Sequence, residues 1–359
     1  MYLKNDKERK DMRKQNVSIA IIICICLLMF NPANAKAKGK GIDDPLLTVQ
    51  QFVLEAPKDF PTTSSWIHNS IISAIPLYDI NDTVSAYCVD FFNEDEKQEA
   101  YMIVNITSGE PQILEFHPNG KSPYSDSGQK EYYYGGFENY YVKENDDQLR
   151  NLLTNTLASR DAVLCEDSTS TSYVSRSVSD GYHNISGVPD YKWRKGCTPT
   201  SLAMSIKYKF GSSVDGQNTL IDRLAKECHT DEDGWTYDSY IKDGVLSYLS
   251  SKNITPSFCR AYSALAVSDI PIHGAASNPL PAYQSYINSD VPVIIIMEGA
   301  KGTSTAYPNG FGDHSVCGTG YYVGSAGQFV IVHTTQCEGD VYVAYSENAL
   351  GNFAWFIVY

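Results

Sequence analysis

From residue 291 onward the chain is written as strands. The runs 291-VPVIIIME-298, 314-HSVCGTGYYV-323, 328-QFVIVHTT-335, 341-VYVAYS-346 and 353-FAWFIVY-359 are rich in β-branched and aromatic residues. Gly-, Asn- and Ser-bearing turns separate them. Strand runs separated in this way read as an antiparallel sheet. Helical patterns precede them: a segment from Cys197, then 217-QNTLIDRLAKECH-229, 237-YDSYIKDGVLSYLSSKN-253 and 282-AYQSYINS-289, with a short strand near 255-TPSFCRAY-262. Helices first and an antiparallel sheet afterwards predict an α+β domain.

The first half has another texture. It reads as helix, strands, then helix, with strands 100-AYMIVNI-106 and 112-QILEFH-117 joined by the turn 107-TSGEP-111. The segment 130-KEYYYGGFENYYVKE-144 is dense in tyrosine, which suits contact-making and ordinary packing alike. In 147-DQLRNLLTNTLASRDAV-163, Leu149, Leu152, Leu153 and Leu157 fall at helical spacing. The tract 166-EDSTSTSYVSRSVSD-180 holds eight Ser or Thr in fifteen residues, too polar to offset its ordering entropy, and so reads as a linker. The expected organisation is a smaller α+β accessory domain at 41–165, a linker at 166–182 and a second domain at 183–359.

The N-terminus carries a charged stretch, the apolar run 17–30 and then Asn31-Pro32-Ala33-Asn34-Ala35. That is the pattern of a signal peptide, 1–35, cleaved after Ala35. The run is shorter than the roughly 20 residues a spanning helix needs, so no retained membrane span is expected and the location is extracellular. Residues 1–40 hold nine of the 28 basic and three of the 42 acidic residues, leaving 19 basic against 39 acidic beyond them. A surface so acidic disfavours nucleic acid as a partner. Seven cysteines follow residue 35, an odd number without CxxC pairs or Cys/His clusters at zinc spacing, so no metal and no cofactor is expected. Their pairing is left open.

One cysteine is placed unlike the others. In 193-WRKGCTPTSLAMSIKYK-209, Pro199 suits a first helical turn, and Leu202, Ile206 and Phe210 share a face. Cys197 therefore opens a helix, where free N–H groups and the macrodipole favour a thiolate; Gly196 gives room, and Arg194 and Lys195 add positive charge. Among the seven histidines, His314 is best placed to serve as its base. It follows 308-PNGFGD-313 and opens a strand in which Gly318 and Gly320 leave space.

With 188-VPDYKWRKGCTPTSLAMSIKYK-209 and 313-DHSVCGTGYY-322, the chain resembles the papain-like bacterial cysteine peptidases of the C39-like group. The resemblance covers about 170 residues, close to the second half. It implies Cys197 as nucleophile and His314 as general base. Where that family carries Asp or Asn after the next strand, this chain has Thr334, with His333 as the alternative orienting residue. The oxyanion glutamine is replaced by Tyr191, with Trp193 close by. The first half resembles, more loosely, the propeptides of secreted cysteine peptidases, through 101-YMIVNITSGEPQILEFHPNGKSPY-124.

The expectation is a secreted cysteine peptidase acting on protein or peptide substrates, its first half a cleavable inhibitor severed near Arg176. Two other readings stay open. One is transglutaminase-like or peptidoglycan-amide chemistry on the same thiol. The other is a catalytically silent binding protein on the same scaffold.

Overall fold

The computed structural model describes residues 45–56, 60, 69–79, 81–107, 109–124, 130–160, 180–257, 259–263, 280–297, 314–345 and 353–358. The expected leader, most of the linker and the loop 308–313 lie outside these residues. In chain order come α1 (Pro45–Glu55), β1 (Asn69–Tyr78), β2 (Val84–Asn93), β3 (Gln98–Asn105), β4 (Gln112–His117), β5 (Tyr132–Tyr134), β6 (Tyr140–Lys143), β7 (Gln148–Asn151), β8 (Leu157–Ser159) and β9 (Gly181–Asn184). Then follow α2 (Cys197–Phe210), α3 (Gln217–Glu227), α4 (Asp238–Ser251), β10 (Cys259–Ser263), α5 (Leu280–Ile287), β11 (Val293–Met297), β12 (His314–Gly324), β13 (Gly327–His333), β14 (Val341–Ala344) and β15 (Phe353–Val358). The five strands and the four helices expected in the second half are all present.

The helix expected over 147–163 is not. Asn151 ends β7 by turning its Oδ1 onto the N–H groups of Leu153 (2.8 Å) and Thr154 (3.0 Å). That local bond outcompetes the helical ladder, and Asn155 completes the turn at φ 58°. The chain then returns as β8 against β7. Leu149 is fully buried while Leu157 is exposed, so the four leucines never shared a face.

The strands form one sheet in the order β10-β15-β11-β12-β13-β14-β4-β3-β2-β1-β5-β6-β7-β8, with β9 alongside the far half of β12. Within it, β1 and β5 run parallel. The first and second halves meet inside this sheet. β14 pairs with β4 through Tyr342↔Phe116 and Val343↔Glu115. At that seam the rings of Phe116 and Tyr342 stack with centroids 4.2 Å apart, worth ~1 kcal/mol beyond their burial. Residues Gly39–Tyr359 accordingly form one compact unit.

Strand alternation divides the core between the two faces. Ala100, Met102 and Val104 join Val49 and Val53 of α1 and Phe329 of β13 in one cluster. Tyr101 and Ile103 join Leu202, Ala203 and Ile206 of α2 in the other. A β-bulge interrupts this alternation in β4. Ile103 pairs with Glu115 and Val104 with Ile113, so Leu114 is the extra residue. This puts Glu115 on the same face as α2.

Candidate active site

The turn before α2 is held by packing and by one threonine. A Cβ on Gly196 would stand 2.6 Å from the Gly234 carbonyl oxygen, so only glycine lets the two loops close together. The Thr200 hydroxyl lies 2.7 Å from the Gly196 carbonyl and 2.9 Å from that of Arg194, and accepts the Arg194 N–H at 3.1 Å. The helix therefore starts at Cys197. Two further bonds fix its first turns to the start of β12. Thr198 Oγ1 lies 2.8 Å from Ser315 Oγ, and Ser201 Oγ donates to the Ser315 carbonyl at 2.9 Å. His314, one residue earlier, is thereby set beside Cys197, and the two side chains are hydrogen-bonded.

Burial opposes ionisation of this thiol. The charge and hydrogen bond of His314, with the Ser315 N–H directed at the sulfur, outweigh it and hold Cys197 below the usual thiol range. Among the six described cysteines it alone is shifted down. Burial raises Cys259 to about 11 and Cys228 and Cys337 to about 12, and Cys88 and Cys317 well above the usual value. Arg194, expected to help, is committed elsewhere. It forms a two-pronged ion pair with Asp222 of α3, both contacts at 2.8 Å. The space expected at Gly318 and Gly320 is also taken. A Cβ on the first would stand 2.7 Å from the Tyr283 hydroxyl, and on the second 2.6 Å from the His183 carbonyl of β9.

The imidazole of His314 has a second partner. Its Nε2 meets Glu138 Oε2 in an ion pair and lies 3.1 Å from the Thr334 carbonyl. Two oxygens on Nε2 leave Nδ1 for the sulfur. Burial disfavours the imidazolium, but Glu138 and then Cys197 overcome it and hold His314 well above the usual imidazole range. His314 therefore contacts Cys197 on one side and Glu138 on the other.

Sequence reasoning missed Glu138. It lies in the turn of the tyrosine-rich segment, far from His314 along the chain, with no local signal except two glycines before it. The hydroxyl of Thr334, expected to orient the imidazole, faces away. It accepts the N–H groups of Gln336 (3.0 Å) and Cys337 (3.1 Å), closing a turn, and only its carbonyl reaches His314. His333 points to the other side of the strand, as alternation demands, with Nδ1 3.1 Å from the Pro189 carbonyl and Nε2 3.2 Å from Asp340 Oδ1. Tyr191 packs half-buried on the core, its N–H on Met204 Sδ at 3.3 Å. Trp193 is 47% exposed, its N–H on the Thr335 carbonyl at 2.7 Å. Neither side chain is hydrogen-bonded to Cys197 or His314. Among the described residues, no group of three His, Cys, Asp or Glu is arranged to hold a metal ion. No described helix is long and apolar enough to cross a membrane.

Among curated proteins, none matches the chain. A helix-borne thiol, a strand-opening imidazole and the packing between them are what a thiol peptidase needs, and the sequence around them agrees: residues 182–355 match the Peptidase_C39 like family, which supports a cysteine peptidase of the C39-like group.

Proposed function

We propose that the protein hydrolyses peptide bonds through Cys197 and His314, and that it does so outside the cell, to which residues 1–35 direct it. One observation carries the chemistry: the His314 imidazole lies between the Cys197 thiol and a buried carboxylate. The Cys197 sulfur attacks the substrate carbonyl carbon. The C=O electron pair moves to oxygen, which faces the N-terminus of α2, where the N–H groups have no intrahelical partner. His314 gives its proton to the leaving amine as the C–N bond breaks, leaving a thioester. Water then attacks that ester, its proton passing to His314, and the thiolate departs. Tyr191 and Trp193 take no part in these steps.

The test is a peptide-directed thiol warhead on the intact protein, with the adduct mapped by mass. Label on Cys197, lost in Cys197→Ala together with hydrolysis, is the expected result. Equal label on Cys228 or Cys337 refutes the assignment. Transfer of the acyl group to an added amine in preference to water would identify a transferase.

A further inference from the structure

We propose that Glu138, carried by the first half of the chain, is the residue that orients the His314 imidazole, so that the active centre is completed from outside the residues 182–355 that match the family. This rests on the thiol peptidase reading and adds a residue to it.

The backbone delivers Glu138 to the imidazole. Glu138 sits in the turn between β5 and β6, closed by Gly135 N–H on the Asn139 carbonyl (2.8 Å) and Asn139 N–H on the Gly136 carbonyl (2.9 Å). Its own φ is 60°. A non-glycine residue is strained in that left-handed conformation, and such strain persists where the surroundings over-determine it. Here they do. Phe137, beside it, is buried in the core cluster that includes α2. The residues at the base of the turn are tied down by a second carboxylate: Tyr134 Oη donates to Glu115 Oε2 at 2.8 Å and Tyr140 Oη to Oε1 at 2.7 Å. Tyr101 adds a third bond at 3.1 Å. Glu115 is on that face because of the bulge at Leu114, and it stands opposite Val343 across the seam between the halves. A chain of fixed contacts therefore runs from the catalytic sheet to the carboxylate on His314.

The Glu138 side chain, moreover, makes no contact that holds its own hairpin. It is only 7% exposed, Oε2 is on His314 and Oε1 has no hydrogen-bond partner among the described residues. A carboxylate this buried is costly without a charged partner, and the partner it has lies in the other half. It occupies the nitrogen that faces away from sulfur, where an orienting residue acts. Thr334, at the family's usual place, offers a carbonyl oxygen and no charge.

The test uses the full chain with ¹⁵N-labelled histidine, the His314 signal being assigned by its loss in His314→Gln. In the wild type this ring should remain protonated above the usual imidazole range. In Glu138→Gln its titration should fall by at least about one pH unit. For peptide hydrolysis kcat should fall about 100-fold or more, with KM within about threefold and the basic limb of the pH profile moved down; Glu138→Asp should recover part of the loss. A shifted titration in a protein that cleaves no peptide keeps the positioning role and removes the peptidase reading. An unshifted titration, or unchanged hydrolysis despite a shift, overturns the proposal. A protease site inserted between Ser168 and Ser179 separates it from the inhibitor alternative. Cutting there should leave the halves associated and the rate unchanged, whereas a tenfold rise with release of the first half would overturn it.

Discussion

Two largely buried histidines of this sheet each hold a carboxylate, and their surroundings differ. His314 opens β12 with Glu138 on Nε2; His333 ends β13 with Asp340 on Nε2. In both, burial works against the charge and the carboxylate outweighs it, so both titrate above the usual range. What separates them is the other nitrogen. On His314 it faces a thiol, which can give and take a proton. On His333 it faces the Pro189 carbonyl, which can only accept a hydrogen bond. Asp340 also accepts the Asn184 amide at 2.7 Å, so the second pair ties β13 to β9 and to the segment before α2. A raised histidine pKa beside a carboxylate thus marks an ion pair, and under the proposed mechanism the partner of the second nitrogen tells a base from a strut.

The comparison breaks most readily at the base. His314→Ala should cost hydrolysis on the order of 10⁴-fold or more, the scale of removing a member of such a unit, while His333→Ala stays within about threefold below its melting temperature. A comparable kinetic loss in both would mean that they act together. The order should reverse for stability. His333→Ala leaves Asp340, half-buried and still bonded to Asn184, without its cation, a loss of about 2 kcal/mol that chemical denaturation would detect. A mutant as stable as wild type would show that pair to be incidental.

A smaller effect tests the anchor of the Glu138 hairpin. Burial raises Glu115 to about 7 against the pull of three tyrosine hydroxyls. The folded state thus keeps a proton that the unfolded state releases near the ordinary carboxyl value. This contribution to stability is complete below that value and is lost as the pH rises through about 7. Glu115→Gln should flatten the decline in unfolding free energy between pH 5 and 8 by on the order of 1–3 kcal/mol. An unchanged slope would place the titration elsewhere. Smallest is Thr334→Val, which removes the cap on Gln336 and Cys337. About 1 kcal/mol of stability and little kcat should be lost, since the contact to His314 is made by the backbone. A large drop in kcat would return the orienting role to that hydroxyl.

How legible the site was follows from how local its parts are. Cys197 and His314 each begin an element, and element starts announce themselves through Gly, Pro and a change of period. The strands of the second half were legible for the same reason. Leu149, Leu152, Leu153 and Leu157 misled because a side-chain turn at Asn151 outranked their spacing. Glu138 was illegible for a different reason. Its place depends on the bulge at Leu114 and on the pairing of β4 with β14, neither of which leaves a trace near residue 138.

That pairing has a consequence for descent. A catalytic segment whose sheet runs on into its neighbour cannot be shuffled between genes as a free cassette. Residues 182–355 copied alone would carry Cys197 and His314, the proposed nucleophile and base, without the seam that presents residue 138. The two halves should therefore be inherited together wherever the strand-end position lacks an acid. Where that position holds Asp or Asn, the glutamate and its hairpin should be free to vary.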